Sequence, residues 1–334
     1  MLFLFSYIIL GGKMRRLIGD TPMIKIRYRY NNIEKDIYVK LEEYNLTGSI
    51  KDRIALYIIE EEKKRRVLKE KMPIIEATSG NTGISFAALG TKLGHPVYII
   101  MPDWVSSERR KLLELYGAKV ILVSKEEGGF KKCIEIADNL AKEINGYRPN
   151  QFSNFLNSKC HYLTTGREII EQMGINNIGG FVNGIGSGGT LMGVSKKLKE
   201  YYPNIIIAAI EPKEMPLLTT KKISSSGHKI EGIGDDFIPE LIDTTMIDKV
   251  FDIDDDDALN MAKLLSKKLG LGVGISSGAN FLGGVLLGEY TNAAIVTLFP
   301  DDNKKYLTTE LTKPLNDNRE FISNKIELLS YTVV

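Results

Sequence analysis

LTGSIKDR, residues 46–53, sets one lysine, Lys51, between a run of small residues and a helix-forming segment, Ile54 to Lys64. A lysine at a helix start feels the positive end of the helix dipole, which destabilises its ammonium and lowers its pKa. Such a lysine can act as a nucleophile and form an imine with a carbonyl compound. A solvated surface lysine could carry the same letters, so the segments on either side decide between the two.

Working outward, strand and helix patterns alternate. On the N-terminal side, IGDTPM supplies a turn, and Met23–Tyr30 and Asp36–Glu42 alternate in strand fashion around Asn31-Asn32. On the C-terminal side, the short apolar strand PIIEA (73–77) runs into TSGNTG (78–83) and a helix from Ile84 to Leu93. Val97–Met101 and Lys119–Val123 read as strands. They flank a helix in SSERRKLLELYGA (106–118), with Ser107 as N-cap, and Phe130–Ile144 follows as a helix. A second alternating run begins with a helix at Thr165–Met173 and a strand at Gly180–Asn183. The glycine turn GIGSGGT (184–190) then leads into a helix over Leu191–Tyr201, and Ile205–Glu211 is a strand. Residues 213–245 are irregular and polar, Asp254–Leu269 is a helix with an acidic start, and ISSGAN (275–280) opens a glycine-rich helix. Ala294–Phe299 is the last buried strand, and the chain from Leu311 is polar and weakly patterned. Such alternation implies parallel sheet covered by helices on both faces.

The bulk numbers narrow the function classes. A chain of 334 residues is long enough for two lobes with separate cores. The formal charge of +2 gives no electrostatic case for nucleic acid or an acidic membrane. The run Lys63-Lys64-Arg65-Arg66 follows three glutamates and reads as a self-paired helix face. Two cysteines, Cys133 and Cys160, without a CxxC point to a reducing compartment, the cytoplasm. His95, His161 and His228 are far apart in the chain and lack metal-ligand spacing, so no metal site is expected. The apolar residues 1–10 are too few to span a bilayer, and residues 1–13 read as an extension.

Gly184-Ile185-Gly186-Ser187-Gly188-Gly189 satisfies G-x-G-x-x-G between a strand and a helix, and Glu211 stands about where a ribose-binding acid would. A dinucleotide site is one reading. The physics shared with the other is anion binding by exposed N–H groups at a helix start, which serves a single phosphate equally. Combination decides. TSGNTG offers N–H groups and hydroxyls suited to a carboxylate, Asn81 an amide for a phenolic oxygen, and ISSGAN two hydroxyls. A lysine for an imine, a phosphate cup, a carboxylate loop and a hydroxyl pair fit pyridoxal phosphate with an amino acid. A nicotinamide enzyme leaves Lys51 and TSGNTG unexplained.

With these residues in view, the chain resembles the fold-type-II pyridoxal-phosphate enzymes, in particular the cysteine synthase and cystathionine β-synthase group. The matching motifs are IGDTPM, LTGSIKDR, EATSGNTG, SERRKLLELYGA, GIGSGGT, EGIGDDFIP and ISSGAN, across roughly residues 17–310. The resemblance implies a two-domain α/β fold, like the tryptophan synthase β subunit, with parallel sheets covered by helices and the cofactor between the domains. Residues 14–44 and 156–315 would form the larger, phosphate-binding domain, 45–155 a smaller mobile one and 316–334 a tail, usually in a homodimer.

Carried over by position, Lys51 would be the Schiff-base lysine and general base, and Asn81 would bond the ring hydroxyl. Gly186, Ser187, Gly188, Gly189 and Thr190 would hold the phosphate, and Ser276 the pyridine nitrogen. Thr78, Ser79, Gly80, Thr82, Gln151 and Gly234 would receive the substrate. A serine hydroxyl, unlike an aspartate, does not keep the ring nitrogen protonated, which favours loss of a β-substituent over transamination. The implied reaction replaces the acetoxy group of O-acetyl-L-serine by sulfide. O-phosphoserine sulfhydrylase and cystathionine β-synthase chemistry are the alternatives. A serine or threonine dehydratase is disfavoured by ERRKLLELYGA and EGIG, and a non-catalytic binding protein by Lys51 and Ser276.

Three departures stand out. Leu46 replaces a usual proline or alanine, and FPDDNKKYL (299–307) lacks the Ser-Gly of bacterial synthases. Glu231 stands where relatives that use O-phosphoserine tend to carry an arginine, and a carboxylate there would repel a phosphate, although Lys221, Lys222 and Lys229 are near in sequence.

Overall fold

The structure is a computed structural model and describes residues 14, 16–221, 227–316, 318 and 320–334; the 1–13 extension and Lys222 lie outside the described residues. Strands β1 (Met23–Tyr30) and β2 (Ile33–Leu41) form a two-residue hairpin in which Tyr30 pairs Ile33. Asn31 and Asn32 take φ of 50° and 62°, the left-handed values such a turn needs and asparagine tolerates.

Two sheets organise the rest. Strands β3 (Ile74–Ala77), β4 (Val97–Pro102) and β5 (Lys119–Val123) make a three-stranded parallel sheet. Four further strands, β6 (Ile178–Gly184), β7 (Ile206–Pro212), β8 (Lys249–Ile253) and β9 (Ala294–Phe299), join β2 in a parallel array ordered β2-β9-β6-β7-β8. Two features differ from the expected pattern. The larger sheet is mixed, because β1 runs antiparallel to β2. The chain beyond residue 316 is no loose tail: β10 (Ile326–Val333) pairs antiparallel with β1 and completes that edge. As an edge strand it leaves most side chains exposed, which is why no apolar alternation marks it. Strand β8, also unmarked in the sequence, is likewise at an edge.

The helices cover both sheets. In the smaller layer, α1 (Lys51–Lys64), α2 (Asn81–Lys92) and α3 (Ser107–Leu115) share a core with β3 and β4, and α4 (Gly129–Glu143) covers the other face. Ser106 rather than Ser107 precedes α3, and its side chain makes no cap bond. Helix α5 (Phe155–Leu163) leads into α6 (Thr165–Met173), which with α7 (Gly189–Tyr201) packs on one face of the larger sheet. Helices α8 (Asp255–Leu269) and α9 (Ile275–Leu287) pack on the other. Asp254 caps α8 by accepting from the N–H groups of Asp256 and Asp257 at 3.0 and 3.3 Å.

This topology aims helix starts at one place. Helices α2, α7 and α9 begin just beyond glycine-bearing loops, and α1 begins at Lys51; the first turn of each contributes to the wall of a single cavity. Helix N-termini carry unpaired N–H groups and a positive dipole end, so the cavity is prepared for anions.

Candidate active site

Lys51 is the first residue of α1, and its helix start is held from several directions. The Ile50 N–H donates to Pro300 O at 2.9 Å, tying it to the chain beyond β9. Asp52, fully buried, accepts from the Thr47 N–H and hydroxyl, both at 2.6 Å. Arg53 turns the other way, into a buried ionic cluster. Its guanidinium grips Glu42 at 2.6 and 2.8 Å and Glu168 at 2.6 and 2.7 Å. Lys40 completes the cluster 2.8 Å from Glu168. The letters around Lys51 therefore have separate duties: Asp52 and Arg53 fix the helix start, and Lys51 is left to the cavity. Burial lowers the Lys51 pKa, while Asp235 and Asp301 oppose the shift.

The cavity has a volume of about 790 Å³. Every residue named as a site candidate lines it except Gly189, which packs against Asn157: Lys51, Thr78, Ser79, Gly80, Asn81, Thr82, Gln151, Gly186, Ser187, Gly188, Thr190, Gly234 and Ser276. Thr82 donates to Gln151 Oε1 at 2.6 Å, which joins residues from distant segments on one wall. The glycine turn is built for close approach. Gly188 has φ +83°, a side chain on Gly186 would collide with Gly232 O, and one on Gly189 would collide with the Asn157 amide. Asn157 in turn donates to Ser187 Oγ at 2.9 Å and Gln151 O at 2.8 Å. Gly234, with φ +72°, donates to Ile185 O at 2.9 Å and so stitches the loop after Ile230 to the glycine turn.

Several functional groups were not legible in the sequence. His161, fully buried, sits 3.2 Å from Thr190 Oγ1 and 2.9 Å from Thr165 Oγ1. Burial and the nearby cations Lys51 and Arg53 hold its pKa well below the usual value, so a neutral imidazole backs the turn. Asp301 accepts from Asn81 Nδ2 at 2.8 Å and from the Tyr306 hydroxyl at 2.6 Å. Asp235 lines the cavity; burial first, then Asp236, pushes its pKa up to about 6, against the pull of Lys51. Glu231 forms an ion pair with the buried Arg109 of α3. The carboxylate that stood as an obstacle to anionic donors is thus neutralised by a residue from the other layer. Lys229 is committed to Asp256 at 2.6 Å. Glu211 accepts from the N–H groups of Leu218 and Thr219 at 2.7 and 2.9 Å, so a local turn accounts for the acid that a dinucleotide site would use.

Comparison with known proteins supplies the deciding observation. Residues 14–301 match the family model described as "Pyridoxal-phosphate dependent enzyme". The chain belongs to this family. It is 39% identical to a cysteine synthase of Staphylococcus aureus over 298 residues, 89% of this chain and 95% of that protein. A hydrogen sulfide-producing enzyme from Fusobacterium nucleatum superposes with a TM-score of 0.92 at 47% identity, covering 97% of this chain and 99% of that one. Cysteine synthase from Entamoeba histolytica gives a TM-score of 0.85 at 34% identity, with 93% and 94% covered.

As a member of the pyridoxal-phosphate dependent enzymes, the chain takes that cofactor, and its residues fit the group. Asn81, at the start of α2, lines the cavity with its Oδ1 buried and without a protein partner. An asparagine NH₂ has two hydrogens, so Asn81 can serve Asp301 and still donate into the cavity. The side-chain-free surface of the glycine turn at the α7 N-terminus fits a phosphate in shape and in sign. Among the described residues no helix is long and apolar enough to cross a membrane.

Proposed function

We propose that the protein is a cysteine synthase acting on O-acetyl-L-serine and sulfide, with L-cysteine and acetate as products. One observation carries the reading: Lys51 stands in a cavity between the glycine cup and the Thr78–Thr82 loop, and Ser276, a neutral hydroxyl, shares its wall. The relatives' names agree with it. In this reading the cup, Gly186–Thr190, holds the phosphate, Asn81 bonds the ring hydroxyl and Ser276 the ring nitrogen. The amino-acid carboxylate is received by Thr78, Ser79, Gly80, Thr82 and Gln151, beside Gly234. Bound pyridoxal phosphate makes the substrate Cα–H acidic and the β-substituent a leaving group. Lys51 Nζ takes that proton from Cα, acetate leaves Cβ, and HS⁻ adds there; Lys51 then returns the proton to Cα. Lowering of its pKa by burial suits Lys51 to both halves of this shuttle.

Asp235 favours a second use of the same site. A cavity carboxylate that titrates near 6 can accept a proton from a thiol or a water near neutral pH. Cysteine then serves as donor: HS⁻ leaves Cβ, the second thiol or the water that gave its proton to Asp235 adds at Cβ, and that proton passes to the departing sulfide, in keeping with the name of the Fusobacterium relative. Initial rates with O-acetylserine, O-phosphoserine, serine and cysteine as donors discriminate. O-acetylserine with sulfide should give the highest kcat/KM; activity with serine alone, cleared only by homocysteine, would overturn the first reading. With cysteine as donor the rate should rise with pH through about 6 and lose that limb in Asp235→Asn. Stability should move the other way. The folded state holds the Asp235 proton more tightly than an ordinary aspartate with pKa 3.8, so its contribution is full below 3.8 and lost as pH rises through about 6. Asp235→Asn should therefore be more stable by about 1–3 kcal/mol at pH 7.5, a gain absent at pH 3.5. An unchanged pH–rate profile would remove Asp235 from the mechanism.

The resemblance also suggests a cytoplasmic homodimer with a mobile smaller domain over residues 45–155. Light scattering at micromolar concentration should give twice the chain mass; a monomeric active enzyme would reject the dimer.

A further inference from the structure

Two walls of the cavity come from different layers of the fold. The Thr78–Thr82 loop follows β3 of the three-stranded sheet, whereas the glycine cup follows β6 of the larger one. One side chain reaches between them. Arg109, on α3, is 2% exposed and lies against Gly80, where an added Cβ would come 3.1 Å from the guanidinium carbon. Its Nη1 donates to Ser79 O at 3.4 Å and also pairs with Glu231. Glu231 immediately precedes Gly232, the residue against which Gly186 of the cup is packed. Arg109 is further held by its guanidinium lying 5.0 Å over the Tyr306 ring, and its Nε is buried without a partner. An unbroken line of contacts thus runs from Ser79 and Gly80 through Arg109, Glu231 and Gly232 to Gly186.

We propose that the Arg109–Glu231 ion pair sets the spacing between the carboxylate loop and the phosphate cup, making both residues positioning residues for the amino-acid substrate. The inference rests on the reading that Thr78–Thr82 receives the substrate carboxylate. Neither residue needs to touch the substrate. A buried guanidinium that is shared between a loop carbonyl and a carboxylate on the opposite wall holds those walls at one separation, and an amino acid spanning them senses a change of a few tenths of an ångström. Arginine does this better than lysine, because Nη1 serves both acceptors while the planar guanidinium is held over the Tyr306 ring. The sequence offered no signal for it: Arg109 and Arg110 are neighbours on one helix, and only the fold sends the first inward and leaves the second exposed with Glu114.

The test is a double-mutant cycle on the cofactor-loaded protein with Arg109→Gln, Glu231→Gln and the double variant. Binding of L-alanine, which has no β leaving group, is read by calorimetry, and cofactor affinity by absorbance titration. Each single variant should weaken L-alanine about tenfold and the double variant by about the same tenfold, because the pair acts as one unit. Cofactor affinity should stay within about twofold, and the loss should appear in KM for the donor more than in kcat. Arg109→Lys, which keeps the charge without the planar group held over Tyr306, should lose about threefold, and it replaces Arg109→Gln in the cycle if that variant does not fold. Losses that multiply in the double variant, or L-alanine binding that is unchanged while only melting temperature falls, would overturn the proposal. A wild-type protein that binds the cofactor but no amino acid would overturn the reaction assignment together with it.

Discussion

Lys51→Ala should lower kcat/KM for O-acetylserine and sulfide by about 10³-fold or more, the scale on which a positioned acid–base group contributes. The magnitude follows from two duties that one side chain performs. On the proposed reading Lys51 holds the cofactor at rest and moves the Cα proton in turnover; among the described residues the other lysines lining the cavity, Lys125, Lys229 and Lys313, are exposed, whereas Lys51 is not. The loss should fall on chemistry. The glycine cup, built from backbone at the start of α7, does not depend on Lys51, so the variant should still take up cofactor. Added small amines should restore part of the rate, since an amine in the vacated space can take the proton. Retention of more than a tenth of the wild-type rate would show that another base serves the site.

Arg53→Leu should cost about 3–5 kcal/mol of stability, the range for breaking a buried ion pair from one side. The Lys40, Glu42, Arg53 and Glu168 side chains are 0, 0, 2 and 5% exposed, so water cannot replace the missing partner. In the intact cluster two cations balance two carboxylates. Arg53 holds the pKa values of Glu42 and Glu168 below the ordinary range despite burial, and is itself pushed up by them. Depressed carboxylate pKa values add stability above the ordinary glutamate pKa, and that stability is lost as pH falls through the lowered values. Without Arg53 those carboxylates would face only Lys40, and their pKa values should rise. The deficit of Arg53→Leu relative to wild type should therefore be largest near pH 7.5 and smaller near pH 5. Denaturant unfolding at the two pH values measures both; an equal deficit at each would assign the loss to packing and not to charge. The cluster joins the helix that carries Lys51 to β2 and α6, so catalysis should suffer before the fold does.

Much of this was legible in the sequence, and the reasons differ element by element. Lys119–Val123, Thr165–Met173 and Ala294–Phe299 occupy the spans read for them: Ala294–Phe299 is an apolar strand buried beyond its first residue, and Thr165–Met173 buries the helical face that carries Ile169 and Met173. Loops with glycine at strand ends located the cavity, since φ above zero at Gly188 and Gly234 and close backbone approach at Gly186 leave glycine as the residue that fits. What escaped notice was set by tertiary placement. Asp235 reads as a turn acid after glycine until the fold puts it on the cavity wall with Lys51. Glu231 reads as a charge facing an incoming donor until Arg109 arrives from another layer. His161, apparently stray, backs Thr190 through packing of α5 against α7, and β10 needed β1 as a template to become a strand.

On the proposed reading Lys51 is the residue that carries the cofactor. Borohydride reduction of the cofactor-loaded protein fixes pyridoxal to whichever amine holds it, and peptide mapping then reads the site. A stoichiometric pyridoxyl label is expected on Lys51, and it should disappear in Lys51→Ala. A label on any other lysine, or none on a protein that has bound the cofactor, would contradict it.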